Sequence, residues 1–259
     1  MKYLENDTAW FYYSDLMHAA ITKFCMVLKE HPFIIEPERY VNEKAKDILD
    51  RDGFEVYPTV EATTLFYDRQ TDCFFKFVHP LTLKRKIVFL LSDKASCIYN
   101  LSEYLIKNGI RVPKVEAFGK IKKPGLPCFV TRRIEGKSLY DVLIRRQQEV
   151  DMKTYLSIVD EIARLHTLCL WLGDAHLSHV FVDGSGFSGF IDIDSIRKNR
   201  PFSIKRLAKD IAGFNHPALP LSDEEKKMLL HHYMKKAGIK NMKRFTKLVK
   251  RYTERRWKG

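Results

Sequence analysis

The hydrophobic period of the chain changes twice, and those changes limit what it can fold into. From residue 54, short runs of aromatic and β-branched residues (Phe54–Tyr57, 63–67 and Cys73–Val78) alternate with turn residues, the pattern of an antiparallel meander. Residues 84–91 read as a further strand or a loop excursion. A helix is expected over 93–107, closed by Asn108-Gly109, a favourable C-cap pair. Strands are expected over 114–119 and 128–133. After Gly136 the spacing lengthens. Helices are predicted at 138–146, 152–170, 203–214, 222–236 and 241–257, interrupted by a short β interlude between 173 and 194. Residues 1–50 also read as helical. Ser14 is a candidate N-cap for a helix over 15–30, where Leu16, Ala19, Ala20, Phe24 and Val27 recur at spacings of three and four, and a second helix is expected over 37–49. The expected class is α+β, with a β-rich lobe preceding a helical one, although order of elements alone specifies little.

At 259 residues, 45% of them hydrophobic and 30% charged, the chain can bury a core that needs neither disulfides nor a metal. Its five scattered cysteines contain no C-x-x-C pair, which points to a reducing cytosol. The first residues lack the apolar core of a signal peptide. No stretch approaches the run of about 18 uncharged apolar residues that spans a bilayer, so a cytoplasmic location is expected. The net charge is +13, and residues 226–259 hold 13 Lys or Arg against one acid, Glu254. Such a segment suits nucleic acid, anionic lipid or a phosphorylated substrate; equally, it suits a solvated helix face.

The stretch from Leu172 to Asp194 carries the chemistry. Asp183-Gly184-Ser185-Gly186 lies between two apolar runs and signals a hairpin. If Val182 pairs with Ser188, His179 faces Ile191 and lies beside Asp192. The open end of the hairpin then holds a neutral donor and a carboxylate, with Asp174 on the loop leading in. A carboxylate plus a neutral donor can hold Mg²⁺, and a second carboxylate nearby can orient and deprotonate a hydroxyl. The competing structural reading makes Asp174 a turn cap and leaves Asp192 and Asp194 as solvated strand ends.

These residues resemble the catalytic loop and metal-binding aspartate of the eukaryotic-like kinase superfamily, H-R-D-x-x-x-x-N followed by D-F-G. Asp174 falls at the catalytic Asp, His179 at the Asn and Asp192 at the metal Asp. Leu165-His166 matches the pair that closes the preceding helix in small-molecule kinases, and Lys205 to Ala212 resembles their R-x-x-K-D-L helix. His in place of Asn resembles the bacterial lipopolysaccharide core kinases, which phosphorylate heptose or 3-deoxy-D-manno-octulosonic acid. Asn108 to Pro113 looks like that family's G-I-x-x-P, and Asp192 to Arg197 like its metal loop with a basic tail. The resemblance covers about residues 54–235.

The resemblance implies a bilobal protein-kinase-like fold: a helical N-terminal extension (1–53), a β-rich N-lobe (54–133) and a helical C-lobe with basic C-terminal helices (134–259), hinged near 131–136. It implies ATP and Mg²⁺ between the lobes, with adenine against Val130, Thr131, Arg132 and Arg133. Lys76, alone within the apolar run 74–78, would meet the phosphates; the alternative is an edge-strand Lys facing solvent. His179 and Asp192 would hold the metal, and Asp174 would accept the proton of the acceptor hydroxyl. Glu103, His176 and Asp194 are accessory candidates. Glu103 would pair with Lys76, His176 would order the loop, and Asp194 would assist the metal or cap the loop.

Two departures stand out. Residues 58–67 contain no glycine, so a phosphate-covering G-x-G-x-x-G loop is absent and Glu61 to Thr64 are the substitutes. Residues 95–100 contain no acid at the turn where the Lys-pairing Glu belongs. The implied acceptor is a sugar of the lipopolysaccharide core or a lipid A precursor, with peripheral contact to anionic membrane at the cytoplasmic face of the inner membrane. The alternatives are an antibiotic, metabolite or protein kinase of the same fold and, from another class, a nucleotide-binding pseudokinase scaffold. Nucleic acid is not the expected partner.

Overall fold

A computed structural model describes residues 1–35, 43–57, 59, 63–83, 87–89, 93–123 and 125–257. By internal contacts the chain divides into two compact units: 1–104 with 113–133, and 105–112 with 134–259.

The first unit is built on a seven-stranded antiparallel sheet: β1 (Lys2–Glu5), β2 (Ala9–Tyr13), β3 (Phe54–Tyr57), β4 (Thr63–Asp68), β5 (Cys73–Val78), β6 (Val115–Ile121) and β7 (Leu126–Arg132), in the order β1-β2-β6-β7-β5-β4-β3. Residues 2–5 and 9–13 therefore correct the helical expectation for the N-terminus. Ala9, Phe11 and Tyr13 alternate into the core with Trp10 and Tyr12 on the other side, a period of two that a strand satisfies and a helix does not. The helical part of this region is α1 (His18–Glu30), preceded by a single turn at Asp15–Met17, and α2 (Glu43–Arg51). Ser14 makes no side-chain cap bond. The expected helix start over 37–42, residues 58 and 60–62 of the glycine-free hairpin (Glu61 and Ala62 among them), and 84–86 with 90–91 lie outside the described residues; 87–89 are helical.

The core of this unit lies between α1 and one face of the sheet. Phe24 of α1 is fully buried, with ring centroids 5.3 Å from both Phe75 and Phe77, 6.0 Å from Phe54 and 6.4 Å from Phe66. Because side chains alternate along a strand, fixing Phe75 and Phe77 against α1 turns Lys76 to the opposite face. There Tyr99 of α3 (Lys94–Lys107) stacks on Phe118 at 4.8 Å, and Phe118 pairs across the ladder with Phe129.

The second unit is mainly helical. Its elements are β8 (Lys137–Ser138), α4 (Met152–Thr167), β9 (Leu170–Trp171), β10 (Val180–Asp183), β11 (Gly186–Phe190), β12 (Arg197–Lys198), α5 (Ile204–Phe214), α6 (Asp223–Lys236) and α7 (Met242–Trp257). The helix expected over 138–146 is present as a short helical segment over 139–145, π-helical at Asp141–Arg145, that follows β8 directly. The hairpin β10–β11 extends through β8 into a three-stranded sheet, and β9 pairs with β12. Asp151 caps α4, accepting from the Thr154 N–H at 2.7 Å, and Ser222 with Glu225 forms a capping box on α6. α7 buries Phe245 and Val249 and exposes Lys243, Arg244, Lys247, Lys250 and Arg251.

Truncating Phe24 to Ala removes one ring from four aromatic contacts, and the expected loss is about 3–5 kcal/mol of stability. Met26→Ala, on the exposed side of the same helix, should stay within about 0.5 kcal/mol. Urea unfolding of the two variants checks both values.

Candidate active site

The loop that carries Asp174 is held at its base by one buried carboxylate. Asp210, on α5 and 1% exposed, accepts the Leu172 N–H at 2.5 Å and the Gly173 N–H at 3.2 Å, and lies 3.0 Å from His166 Nε2. The other ring nitrogen of His166 is 2.6 Å from the Tyr233 hydroxyl. Burial, and then the Asp210 charge, push that hydroxyl far above its ordinary pKa, so it stays protonated. Two helices and the loop entry thus converge on one buried group, which loses water but regains a partner for each polar atom.

Gly173 has φ +79°, and a Cβ there would stand 2.4 Å from the Ser195 carbonyl. Only glycine fits that approach. The Ser195 hydroxyl lies 2.8 Å from both the Leu172 and the Asp192 carbonyls. Together with the β9–β12 ladder, in which Arg197 pairs with Trp171 and Lys198 with Leu170, this fixes the Asp174 loop against the Asp192 loop.

The hairpin supplies the rest of the site. Val180 pairs with Phe190 and Phe181 with Gly189, and the Ile191 N–H donates to the His179 carbonyl at 3.0 Å, so His179 does face Ile191. Further up a bulge shifts the register, and Val182 pairs with Phe187 rather than Ser188. The slip sits between the hairpin turn and the open end, and leaves the chemistry-bearing end unchanged.

His179 Nδ1 lies 3.1 Å from the Asp174 carbonyl and 3.9 Å from its carboxylate. With Nδ1–H donated to that carbonyl, Nε2 carries the lone pair, the arrangement in which an imidazole serves as a metal ligand. Asp192 is half-buried at the start of the turn Ile193–Ser195, which contains Asp194, also half-buried. Among the described residues no group of three or more His, Cys, Asp or Glu could hold a metal ion. The pair expected from the sequence, Asp192 and His179, would offer one carboxylate and one neutral nitrogen. That suits a divalent ion whose other ligands are phosphate oxygens and water, and not a closed protein cage.

The Asp174 carboxylate is 49% exposed, and Oδ1 accepts from the Arg256 guanidinium at 2.7 Å. His176 Nδ1 lies 3.0 Å from the Ser178 hydroxyl and 3.4 Å from its N–H. Burial, and then the neighbouring His179 and Arg256, lower the His176 pKa. It packs its ring 5.7 Å from Trp257, as a neutral residue that shapes the loop.

In the first unit, Lys76 is half-buried on interior strand β5, with its ammonium 5.8 Å from the centre of the Phe129 ring. It is not on an edge strand. Val130 is fully buried on the α1 side of the sheet, and Thr131 is half-buried on the Lys76 side. The Arg132 and Arg133 N–H groups donate to the Lys114 and Asp72 carbonyls at 2.9 and 3.0 Å, and their side chains pair with Glu116 and Asp72. Glu103 is exposed on α3, and among the described residues no ion pair joins it to Lys76.

Sequence reasoning missed roles for His166, Ser195, Asp210 and Arg256. The pairs Leu165-His166 and Lys209-Asp210 were a visible signal for the first and third. Nothing in the sequence ties Arg256 to Asp174 across 82 residues.

No family model matches the chain, and no curated protein matches it in sequence. Among solved structures it is similar to WbdD. One match, a crystal structure of monomeric WbdD, has 21% identity and a TM-score of 0.52, and covers 73% of this chain and 45% of that one. Another, WbdD with the kinase inhibitor LY294002, has 18% identity and a TM-score of 0.52, with 76% and 44% covered. WbdD is described as a bifunctional kinase-methyltransferase. The chain spans less than half the length of these structures, and at such identity the likeness is one of fold: α+β and kinase-like.

Replacing Asp210 by Ala leaves two buried loop N–H groups and His166 without their acceptor, at about 1–3 kcal/mol for each unsatisfied group. The expected outcome is a large loss of thermal stability. Asp210→Asn, which keeps one acceptor oxygen, should lose less, and calorimetric unfolding of the two variants checks the order.

Proposed function

We propose that the chain is an ATP-dependent phosphotransferase acting on an alcohol, with a sugar hydroxyl of the lipopolysaccharide core as acceptor. What carries the reading is the pair Asp174 and Asp192, on separate loops that Asp210, Gly173 and Ser195 hold together, in a kinase-like fold. When bound, Mg²⁺-ATP supplies the phosphoryl group and the cation that balances its charge. Asp192 and His179 Nε2 would hold that ion. Asp174 would orient the acceptor hydroxyl and take its proton on Oδ2, the oxygen Arg256 leaves open. Lys76 would neutralise phosphate charge, and Thr131 to Arg133 would flank the adenine, whereas Val130, fully buried on the α1 side of the sheet, would not reach it. Asp194 is a reserve ligand. The protein's contribution in such a reaction is placement and charge stabilisation.

The choice of acceptor rests on His179 standing where most kinases carry Asn, and on the basic residues of α6 and α7. No described helix is long and apolar enough to cross a membrane. The exposed Lys235, Lys236, Lys243, Arg244, Lys247, Lys250 and Arg251 would hold the enzyme on anionic lipid, each worth roughly 1 kcal/mol near the surface. A second reading, a nucleotide-binding pseudokinase scaffold, is favoured by one observation: Glu103, the expected partner of Lys76, is exposed on α3.

ATP turnover with purified lipopolysaccharide core decides between them. Asp174→Asn should abolish most turnover while Mg²⁺-ATP binding stays near wild type. Asp192→Asn should weaken Mg²⁺-ATP binding itself. Wild-type turnover in both variants would overturn the assignment, and nucleotide binding without turnover in the wild type would establish the scaffold.

Binding to anionic vesicles should fall steeply between low and high salt, because the attraction is screened over about 8 Å at physiological ionic strength. Neutral vesicles should not bind. Replacing four of the seven basic residues by Gln should raise KM for membrane-embedded acceptor and spare turnover on a soluble fragment, as read by sedimentation and kinetics.

A further inference from the structure

From Leu172 to Asp183 the chain contains neither Lys nor Arg, so the loop bearing Asp174 brings no permanent cation of its own. One arrives from the last turn of α7. Arg256 places a guanidinium nitrogen 2.7 Å from Asp174 Oδ1, and the surroundings fix it there. Trp257 donates its indole N–H to the Ala212 carbonyl at 3.0 Å, and its ring lies 4.4 Å from His216 and 5.7 Å from His176. The Arg256 guanidinium sits 5.2 Å from the Trp257 ring centre. It also passes over Gly213, where a Cβ would stand 3.1 Å from its other terminal nitrogen and 2.3 Å from the Ala175 carbonyl. Any side chain at 213 would push α5 off the loop and crowd the arginine.

An ion pair with side chains 32% and 49% exposed contributes little to stability, so the contact matters for what it positions. A guanidinium has five N–H donors in a rigid fork. Among the described residues Asp174 engages one of them, and the fork presents the others beside that carboxylate.

We propose that Arg256 is a catalytic residue, an arginine supplied in cis that contacts the phosphoryl group in transfer; the role rests on the phosphotransferase reading above. The bond between the γ-phosphorus and the β,γ-bridging oxygen breaks, and its electron pair leaves with ADP. A bond from the acceptor oxygen to the same phosphorus forms, and the acceptor proton passes to Asp174 Oδ2. Negative charge then spreads over the three equatorial oxygens, and Arg256, touching Asp174 and therefore adjacent to the acceptor oxygen, neutralises part of it. Arginines in that role are worth roughly 10³–10⁵-fold in kcat.

The test compares the wild type with Arg256→Ala and Arg256→Lys. Hydrolysis of Mg²⁺-ATP, with water as acceptor, gives turnover. Calorimetry gives affinity for Mg²⁺-ADP alone and for Mg²⁺-ADP with aluminium fluoride, which mimics the transferring phosphoryl. Arg256→Ala should lose about 10³-fold in turnover and a comparable factor in aluminium fluoride affinity, with Mg²⁺-ADP affinity and thermal stability near wild type. Added guanidinium ion should restore part of the turnover. Arg256→Lys, which keeps the charge without the fork, should fall between. Unchanged turnover and unchanged aluminium fluoride affinity would overturn the role. So would a gain in turnover, which would make the arginine a block on Asp174, or a parallel loss of Mg²⁺-ADP affinity and stability, which would make it structural. A wild type that neither binds Mg²⁺-ADP nor hydrolyses ATP would instead overturn the phosphotransferase reading, and this role with it.

Discussion

The buried carboxylate of Asp210 is the interaction on which the second unit's site depends. It accepts both N–H groups at the entrance of the Asp174 loop and meets His166 from α4, whose other nitrogen meets Tyr233 of α6. Loops ordinarily run over the surface because their backbone groups need water. Here the loop start is drawn into the interior, and its donors are matched by a group whose own charge would be costly to bury unpaired. The geometry of Asp174 is therefore set by helix packing, and that is how a flexible segment becomes a placed one.

Glycine and serine perform the finer alignment. Gly173 lets the Ser195 carbonyl approach to a distance no side chain tolerates, and Ser195 spans the carbonyls of Leu172 and Asp192. Gly213 likewise admits the Ala175 carbonyl and the Arg256 guanidinium. None of these residues carries reactive chemistry. They set how far apart the carboxylates on the two loops can stand, and the same small-residue logic recurs where α7 meets α5.

The first unit shows a different constraint, the strict alternation of a sheet. Phe75 and Phe77 are committed to the ring cluster around Phe24, so Lys76 between them has no choice of face. The cation is half-buried there by default, over an aromatic neighbour. The helix that stacks on Phe118 through Tyr99 leaves Glu103 on its exposed side.

Much of this was legible in the sequence because it is local. The period-two runs at 54–57, 63–67 and 73–78 became strands, the Asn108-Gly109 stop closed its helix, and the Asp183-Gly184-Ser185-Gly186 signal became a hairpin whose open end keeps His179 opposite Ile191. Local periodicity and turn chemistry determine such features before any packing exists. The helical expectation fails over Ala9–Tyr13, because a short apolar run is ambiguous until a partner strand, here β6, pairs with it. The bulge above Phe181 was invisible for a similar reason, since it is a compromise between turn and ladder. The Asp210 clamp, the Ser195 staple and the Arg256 contact join residues 23 to 82 positions apart. Sequence fixed which donors and acceptors exist. Only the tertiary structure decided which of them meet, because a contact across that separation has no local period to announce it and is set by how the helices pack.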